Sequence, residues 1–203
     1  VAPLMLALGA RATLARLIRD GFDFDLIDAH YFYPDGVAAA LLAQWLGKPF
    51  VVTARGTDLN LIPEHVLPRR MIRWAAARAS ASIGVCSALI ESLAGLGADP
   101  ARLHVMRNGV DLERFRPWPR RQARRELGLP EDGLLLLSVG HLVERKGHHL
   151  AIEALAALPG CRLAIVGDGE ERGALERLAR SRGFADRVFF AGARPNQQLS
   201  LWY

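Results

Sequence analysis

LLLLSVGHLVERKGHHLAIEAL, residues 134–155, begins as an unbroken apolar run, stops at Gly140, and passes through His141, Arg145, Lys146 and Gly147 into a helical pattern. An apolar run without polar alternation predicts a strand covered on both faces, and the helix behind it supplies one cover. Lys146 stands out by composition. The chain carries 26 Lys and Arg residues, and only Lys48 and Lys146 among them are lysines. A small mobile ammonium at a strand–turn–helix junction suits a phosphate oxygen, whereas a guanidinium prefers a fixed planar fork. Gly140 and Gly147 let a ligand approach the backbone, and the following helix start offers N–H groups to an anion. A solvated loop with idle charges is the competing reading.

The same alternation runs outward in both directions. Strands are expected at 24–30, 50–54, 81–86, 102–107, 134–140, 162–167 and 187–192, and helices at 36–46, 68–80, 87–96, 147–158 and 170–182. Asp35, Ser87 and Asp168 suit helix starts and Pro68 a first helical turn. Strands alternating with helices predict βαβ units and parallel sheets, an α/β protein. The prolines at 117, 119 and 130 break the pattern among charged residues. They divide the chain into a domain over 1–112, a linker over 113–130 and a second domain over 131–203. The edges, VAPLMLALGA without an initiator Met and QQLSLWY in mid-pattern, lead us to expect both domains to be incomplete.

Bulk properties narrow the partners. At 203 residues, 51% hydrophobic and 23% charged, the chain is globular. A net charge of +5 suits an anionic partner, whether phosphate, membrane surface or nucleic acid. Six arginines between Arg114 and Arg125 read as a solvated linker followed by a short helix, as a contact for anionic lipid or acceptor phosphate, or as a nucleic-acid surface. Only Phe115 and Trp118 accompany them, too few aromatics for base stacking, so no nucleic acid is expected. No apolar stretch is long enough to span a membrane. Cys86 and Cys161 lie in or beside apolar runs and form no CxxC pair. They are expected to be buried reduced thiols, as in a cytoplasmic protein.

In open α/β sheets ligands bind beyond the carboxyl ends of strands. Those ends carry the candidates: Gly140, His141, Arg145 and Lys146, and Gly167, Asp168 and Gly169. In the first domain they are His30, then Arg55, Gly56 and Asp58. His30 reads equally as a cleft residue or a packed one, and Arg55 as a structural or ligand-facing cation, since it does not give up its proton. The glycines of LAIVGDGEERG are one residue off a dinucleotide fingerprint, and no acid follows the next strand, which disfavours NAD. Asp23 and Asp25 mimic a metal-binding Asp-x-Asp but sit at the wrong end of their strand. No zinc spacing, nucleophile elbow or P-loop occurs. In MRNGVDLERFRP, Gly109 is expected at positive φ and Asp111 as a cap on the next turn.

RNGVDLERFRP (107–117), SVGHLVERKGHHLAIEAL (138–155) and LAIVGDGEERGALERLA (163–179), in this order, resemble the GT-B glycosyltransferases of family 4, a retaining, nucleotide-sugar-dependent group. Residues 30–59, HYFYPDGVAAALLAQWLGKPFVVTARGTDL, are similar to its subgroup for cell-envelope polysaccharides, including teichuronic-acid-type enzymes. The resemblance implies two Rossmann-like domains across a cleft. The first would face a glycan or lipid-linked acceptor through His30, Arg55, Gly56 and Asp58. The second would hold a UDP- or GDP-sugar through Gly140, His141, Arg145, Lys146, Gly167, Asp168, Gly169, Arg194 and Pro195. Lys146 would stabilise the leaving diphosphate, with Arg55 as the second catalytic candidate. No cofactor or metal is expected, and the protein would be cytoplasmic, with the inner face of the plasma membrane as a further contact. His141 stands where the family often has arginine, and Arg55 where it has histidine. The alternatives are a GT-B nucleotide-sugar epimerase, and a non-catalytic protein binding anions or nucleic acid through the basic linker.

Overall fold

In the computed structural model, which describes residues 1–203, the apolar runs pair as two separate all-parallel sheets. The chain divides into Val1–Gly109 and Val110–Tyr203. In the first unit β1 (Ile27–His30), β2 (Phe50–Ala54), β3 (Ala81–Gly84) and β4 (Leu103–Val105) lie side by side in chain order. Helix α1 (Ala2–Arg19) precedes them, and α2 (Val37–Leu46), α3 (Thr57–Asn60), α4 (Val66–Ala76) and α5 (Ser87–Gly95) form the crossovers. Small residues let α2 lie close to the sheet: Val37, Ala38, Ala39, Ala40, Leu42 and Ala43 are all buried, and Gly47 ends the helix at φ 64°. Phe32, Val52, Ile72 and Leu93 are fully buried at the centre of this core.

The second unit holds α6 (Arg120–Glu126), β5 (Leu135–Val139), α7 (His148–Ala154), β6 (Arg162–Val166), α8 (Arg172–Ser181), β7 (Val188–Gly192) and α9 (Asn196–Leu199), with sheet order β5-β6-β7. Central β6 explains its own composition. Leu163 and Ile165 pack to one side with Leu142, Ile152, Leu155 and Leu175. Ala164 and Val166 pack to the other with Leu129 and Trp202. A strand buried on both faces has no use for polar alternation.

Three expectations change. The short helix expected in the linker is present as α6, but it is not solvated: it buries Ala123 and Arg124, and Leu127 and Leu129 join the core that contains Trp202. The arginines that suggested solvated chain are partly used as fasteners. Arg124 Nη1 donates to the carbonyls of Pro130, Glu131 and Gly133, and Arg125 grips the Glu131 carboxylate with two hydrogen bonds of 3.1 Å. That grip holds the Glu131 carboxyl below its usual range. Cys86 is exposed, because it caps α5 just past the end of β3, while Cys161 is buried. Gly109 is absent from the glycines at positive φ, whereas Asp111 does cap its turn, accepting from Glu113 N and Arg114 N. Helix α1 had no sequence assignment, since Leu4, Met5, Leu6 and Leu8 leave no polar face and all are exposed. The helix packs Ala7 against Ala38 and Leu42. No helix is long and apolar enough to cross a membrane.

Arg124 is the buried fastener of its turn, so Arg124→Ala is expected to lower the stability of the second unit by about 1–3 kcal/mol, read as a shift of the urea midpoint. Arg121→Ala removes only an exposed pair with Asp132 and should move the midpoint by less than about 1 kcal/mol.

Candidate functional site

Beyond the carboxyl ends of β5 and β6, two turns lie directly on one another. Gly140 N donates to Val166 O, Leu142 N to Asp168 O and Glu171 N to Leu142 O, so sheet-like pairing continues past the strands. The approach leaves no space for a side chain. A Cβ on Gly167, whose φ is 144°, would sit 1.8 Å from the Gly140 carbonyl oxygen, and one on Gly169 would sit 2.5 Å from that of Leu142. Val139, Gly140, His141, Val166, Gly167, Asp168, Gly169, Ala193, Arg194 and Leu199 line a hollow of about 610 Å³ above these turns.

Six of the donor-side candidates thus share one cavity: Gly140, His141, Gly167, Asp168, Gly169 and Arg194. Lys146 stands at its edge, exposed and in no ion pair, with Cδ 3.9 Å from where a Cβ on Gly140 would be. Arg145 and Pro195 are exposed and do not line the hollow. Asp168 uses one carboxylate oxygen to accept Gly169 N at 2.9 Å and thereby holds the turn; α8 itself starts later, at Arg172.

His148, the first residue of α7 and no candidate by sequence, is buried beneath this loop. Its Nε2 reaches the His141 carbonyl at 3.3 Å and its Nδ1 the Ser138 hydroxyl at 2.8 Å. A carbonyl only accepts, so Nε2 carries the proton and Nδ1 accepts from Ser138. The spacing Ser138–His148 across a strand–turn–helix unit was the signal available, and it has no meaning until the helix packs back on the strand.

In the first unit the corresponding strand ends bring together His30, Arg55 and Asn108. Arg55 Nε donates to His30 Nδ1 at 3.1 Å, its Nη2 points at the same nitrogen, and Nη1 donates to Asn108 Oδ1 at 2.9 Å. Accepting at Nδ1 leaves the His30 proton on Nε2, which faces Asp28 Oδ2 at 3.3 Å. Asp28 and His30, two apart on β1, share a sheet face.

Asp58 has a different place from its expected acceptor-facing one. It is fully buried, and its carboxylate accepts three backbone hydrogen bonds, from Phe32 N at 2.9 Å, Arg55 N at 3.0 Å and Gly56 N at 2.8 Å. It ties the turn after β1 to the turn after β2. The chain reaches Phe32 only by forcing Tyr31 to φ 85°, a costly conformation for an aromatic residue. Asp23, at the opposite end of β1, is occupied by Lys48 at 2.5 Å. No group of three or more His, Cys, Asp or Glu side chains is placed to hold a metal ion.

Comparison with known proteins adds to this geometry. The Glycosyltransferase Family 4 profile matches residues 2–114, and the Glycosyl transferases group 1 profile residues 119–203. The chain is similar to a D-inositol 3-phosphate glycosyltransferase of Catenulispora acidiphila, 32% identical over 93% of this chain and 50% of that protein. It is 35% identical to a D-inositol 3-phosphate glycosyltransferase of Frankia alni, over 89% of this chain and 49% of that one. The chain therefore spans about half the length of the curated relatives it matches. Among solved structures, Anabaena HepE in complex with UDP superimposes with a TM-score of 0.76 at 26% identity, over 91% of this chain and 53% of that one. The α/β fold with parallel sheets is thus the GT-B fold.

Two substitutions test this construction. Gly167→Ala should destabilise the second unit by about 3 kcal/mol or more, combining a forbidden φ with overlap on a backbone oxygen. Gly173→Ala in α8 meets only the mobile end of Arg177 at 3.4 Å and should be neutral or stabilising by up to about 1 kcal/mol. Chemical denaturation of both reads the opposite signs. Asp58→Ala strands three backbone donors and should cost about 3 kcal/mol or more in the first unit, measured the same way.

Proposed function

The chain belongs to the family 4 glycosyltransferases, and from that premise we propose that the whole protein moves a hexose from a UDP- or GDP-sugar to a glycan or lipid-linked acceptor, with retention at the anomeric carbon. The role we assign it is cell-envelope or exopolysaccharide synthesis, in the teichuronic-acid-type subgroup. The observation that carries the donor half is the hollow above the stacked turns. It is a glycine-floored cavity at strand carboxyl ends, with a single lysine beside Gly140 and Arg194 on its wall.

The chemistry follows from charge. As the bond between the anomeric carbon and the diphosphate oxygen breaks, its electron pair leaves on the phosphate, and that oxygen becomes more anionic than in the bound donor. A cation that follows it therefore favours the transition state over the ground state. Lys146 is the mobile charge for this task, with His141 and Arg145 as nearby donors. Gly140, Gly167, Asp168 and Gly169 form the floor on which the nucleotide diphosphate lies, and Arg194 and Pro195 the side towards the base. UDP is the favoured nucleotide because HepE, at 26% identity, is described in complex with UDP. His30, Arg55 and Gly56 form the acceptor side, with Asp58 bracing them from beneath. No metal or cofactor takes part in this reading. The protein would act in the cytoplasm, with the exposed arginines of its basic segment, Arg114, Arg116, Arg120, Arg121 and Arg125, resting against anionic lipid at the inner face of the plasma membrane.

In the full-length protein, Lys146→Ala is expected to lower kcat/KM by roughly 10²-fold or more, in a UDP-release assay with acceptor present. Wild-type turnover in that variant ends the assignment of Lys146. Omitting the acceptor separates the epimerase alternative, which alone would still convert the donor sugar. Calorimetry with UDP and GDP selects the nucleotide.

A further inference from the structure

Arg55 is held in an unusual way for an exposed arginine. All three guanidinium nitrogens are engaged, Nε and Nη2 towards His30 Nδ1 and Nη1 towards Asn108 Oδ1. Both partners are neutral acceptors, so they orient the group and leave its charge uncompensated. The nearby carboxylates do not neutralise it. Asp28 lies across the imidazole, 3.3 Å from His30 Nε2, and the Asp58 oxygens accept backbone N–H groups, including that of Arg55 itself. A guanidinium has five N–H bonds. Three point at His30 and Asn108, which leaves one on Nη1 and one on Nη2. These two remaining N–H bonds are open to charge-assisted hydrogen bonds to the oxygens of a carboxylate or phosphate.

We infer that Arg55 is a preorganised anion clamp in the first unit and that the acceptor carries an oxyanion, a carboxylate or phosphate, which docks on the remaining N–H bonds of Nη1 and Nη2. This deepens the transferase reading and rests on it for the word acceptor; the clamp itself rests on geometry alone. Preorganisation matters because a free arginine loses side-chain freedom when it binds, and this one has already lost it. Arg55 thus acts by binding and orienting substrate. It neither takes nor gives a proton. His30 and Asn108 are positioning residues that set the plane of the fork.

Calorimetry on the full-length protein with glucose 6-phosphate, glucuronate and glucose tests this directly. The phosphate and carboxylate arms are expected to bind wild type at least ~10-fold more tightly than glucose, and their ratio tells which oxyanion is preferred. Arg55→Gln should lose roughly 10- to 100-fold for the anions only, the scale of a charge-assisted hydrogen-bonded pair. Asn108→Asp is the sharper variant. It keeps Arg55 but places a carboxylate on Nη1, and it should cost anion binding about as much, whereas Asn108→Ala should cost far less. A merely structural Arg55 predicts no such difference between the two Asn108 variants. Anion affinity that exceeds that of glucose no more in wild type than in Arg55→Gln, or that survives Asn108→Asp, overturns the clamp. A UDP titration of the wild type runs alongside. Failure to bind UDP would sink the transferase reading while leaving the anion titrations to judge the clamp, and UDP binding without anion binding would remove the clamp alone.

Discussion

The second unit depends on how closely two backbone turns lie after β5 and β6. Parallel strands end level with one another, and here their hydrogen bonding runs on through Gly140, Leu142 and Glu171 after regular strand geometry has stopped. The continuation is possible only because position 167 has no Cβ: the Gly140 carbonyl oxygen already occupies the space. From this contact follow the floor of the hollow, the placement of His141 and Arg194 around it, and the lysine beside Gly140. His148 fixes the same loop from below, through the carbonyl of the residue that opens it. A polar histidine is tolerated at this depth because both ring nitrogens have partners.

The first unit solves the same topological problem with opposite chemistry. Its strand ends are drawn together by a buried anion, Asp58, whose two oxygens gather backbone N–H groups from two turns. Charge in the interior is costly unless hydrogen-bonded, and three donors meet that condition. The arrangement also places Arg55 at the surface, with its backbone pinned and its side chain free to be oriented by His30 and Asn108. One unit therefore builds its ligand-facing turn by removing side chains, the other by burying one.

What could be read before the structure was largely what periodicity encodes. The continuous apolar runs at 134–140 and 162–167 became neighbouring strands β5 and β6, and the helical pattern at 36–46 became α2. Strand-end logic found Gly140, Gly167 and Gly169, because glycine before a helix is informative by itself. It did not find His148 or Asn108, whose partners lie 7 and 10 residues away for the first and 53 for the second, and acquire meaning only in three dimensions. It placed Asp58 on the wrong side of the backbone, since a carboxylate one residue past Gly56-Thr57 can turn outward or inward with equal local ease. In the segment 113–130 the short helix was legible and its packing was not. Arginines and prolines are the composition of solvated chain, yet Arg124 spends its charge on carbonyls of its own turn, a use no window of sequence reveals.

The arginine bias noted at the outset has one practical corollary. Within this chain side-chain primary amines number two, and they differ sharply in accessibility: Lys48 is mostly covered and paired with Asp23, while Lys146 is exposed and in no ion pair. An acylating or aldehyde reagent therefore meets one open ε-amine here, at the edge of the glycine-floored cavity. Among the side chains of this fragment, it is therefore the place where a fluorophore or a cross-linker would enter the site.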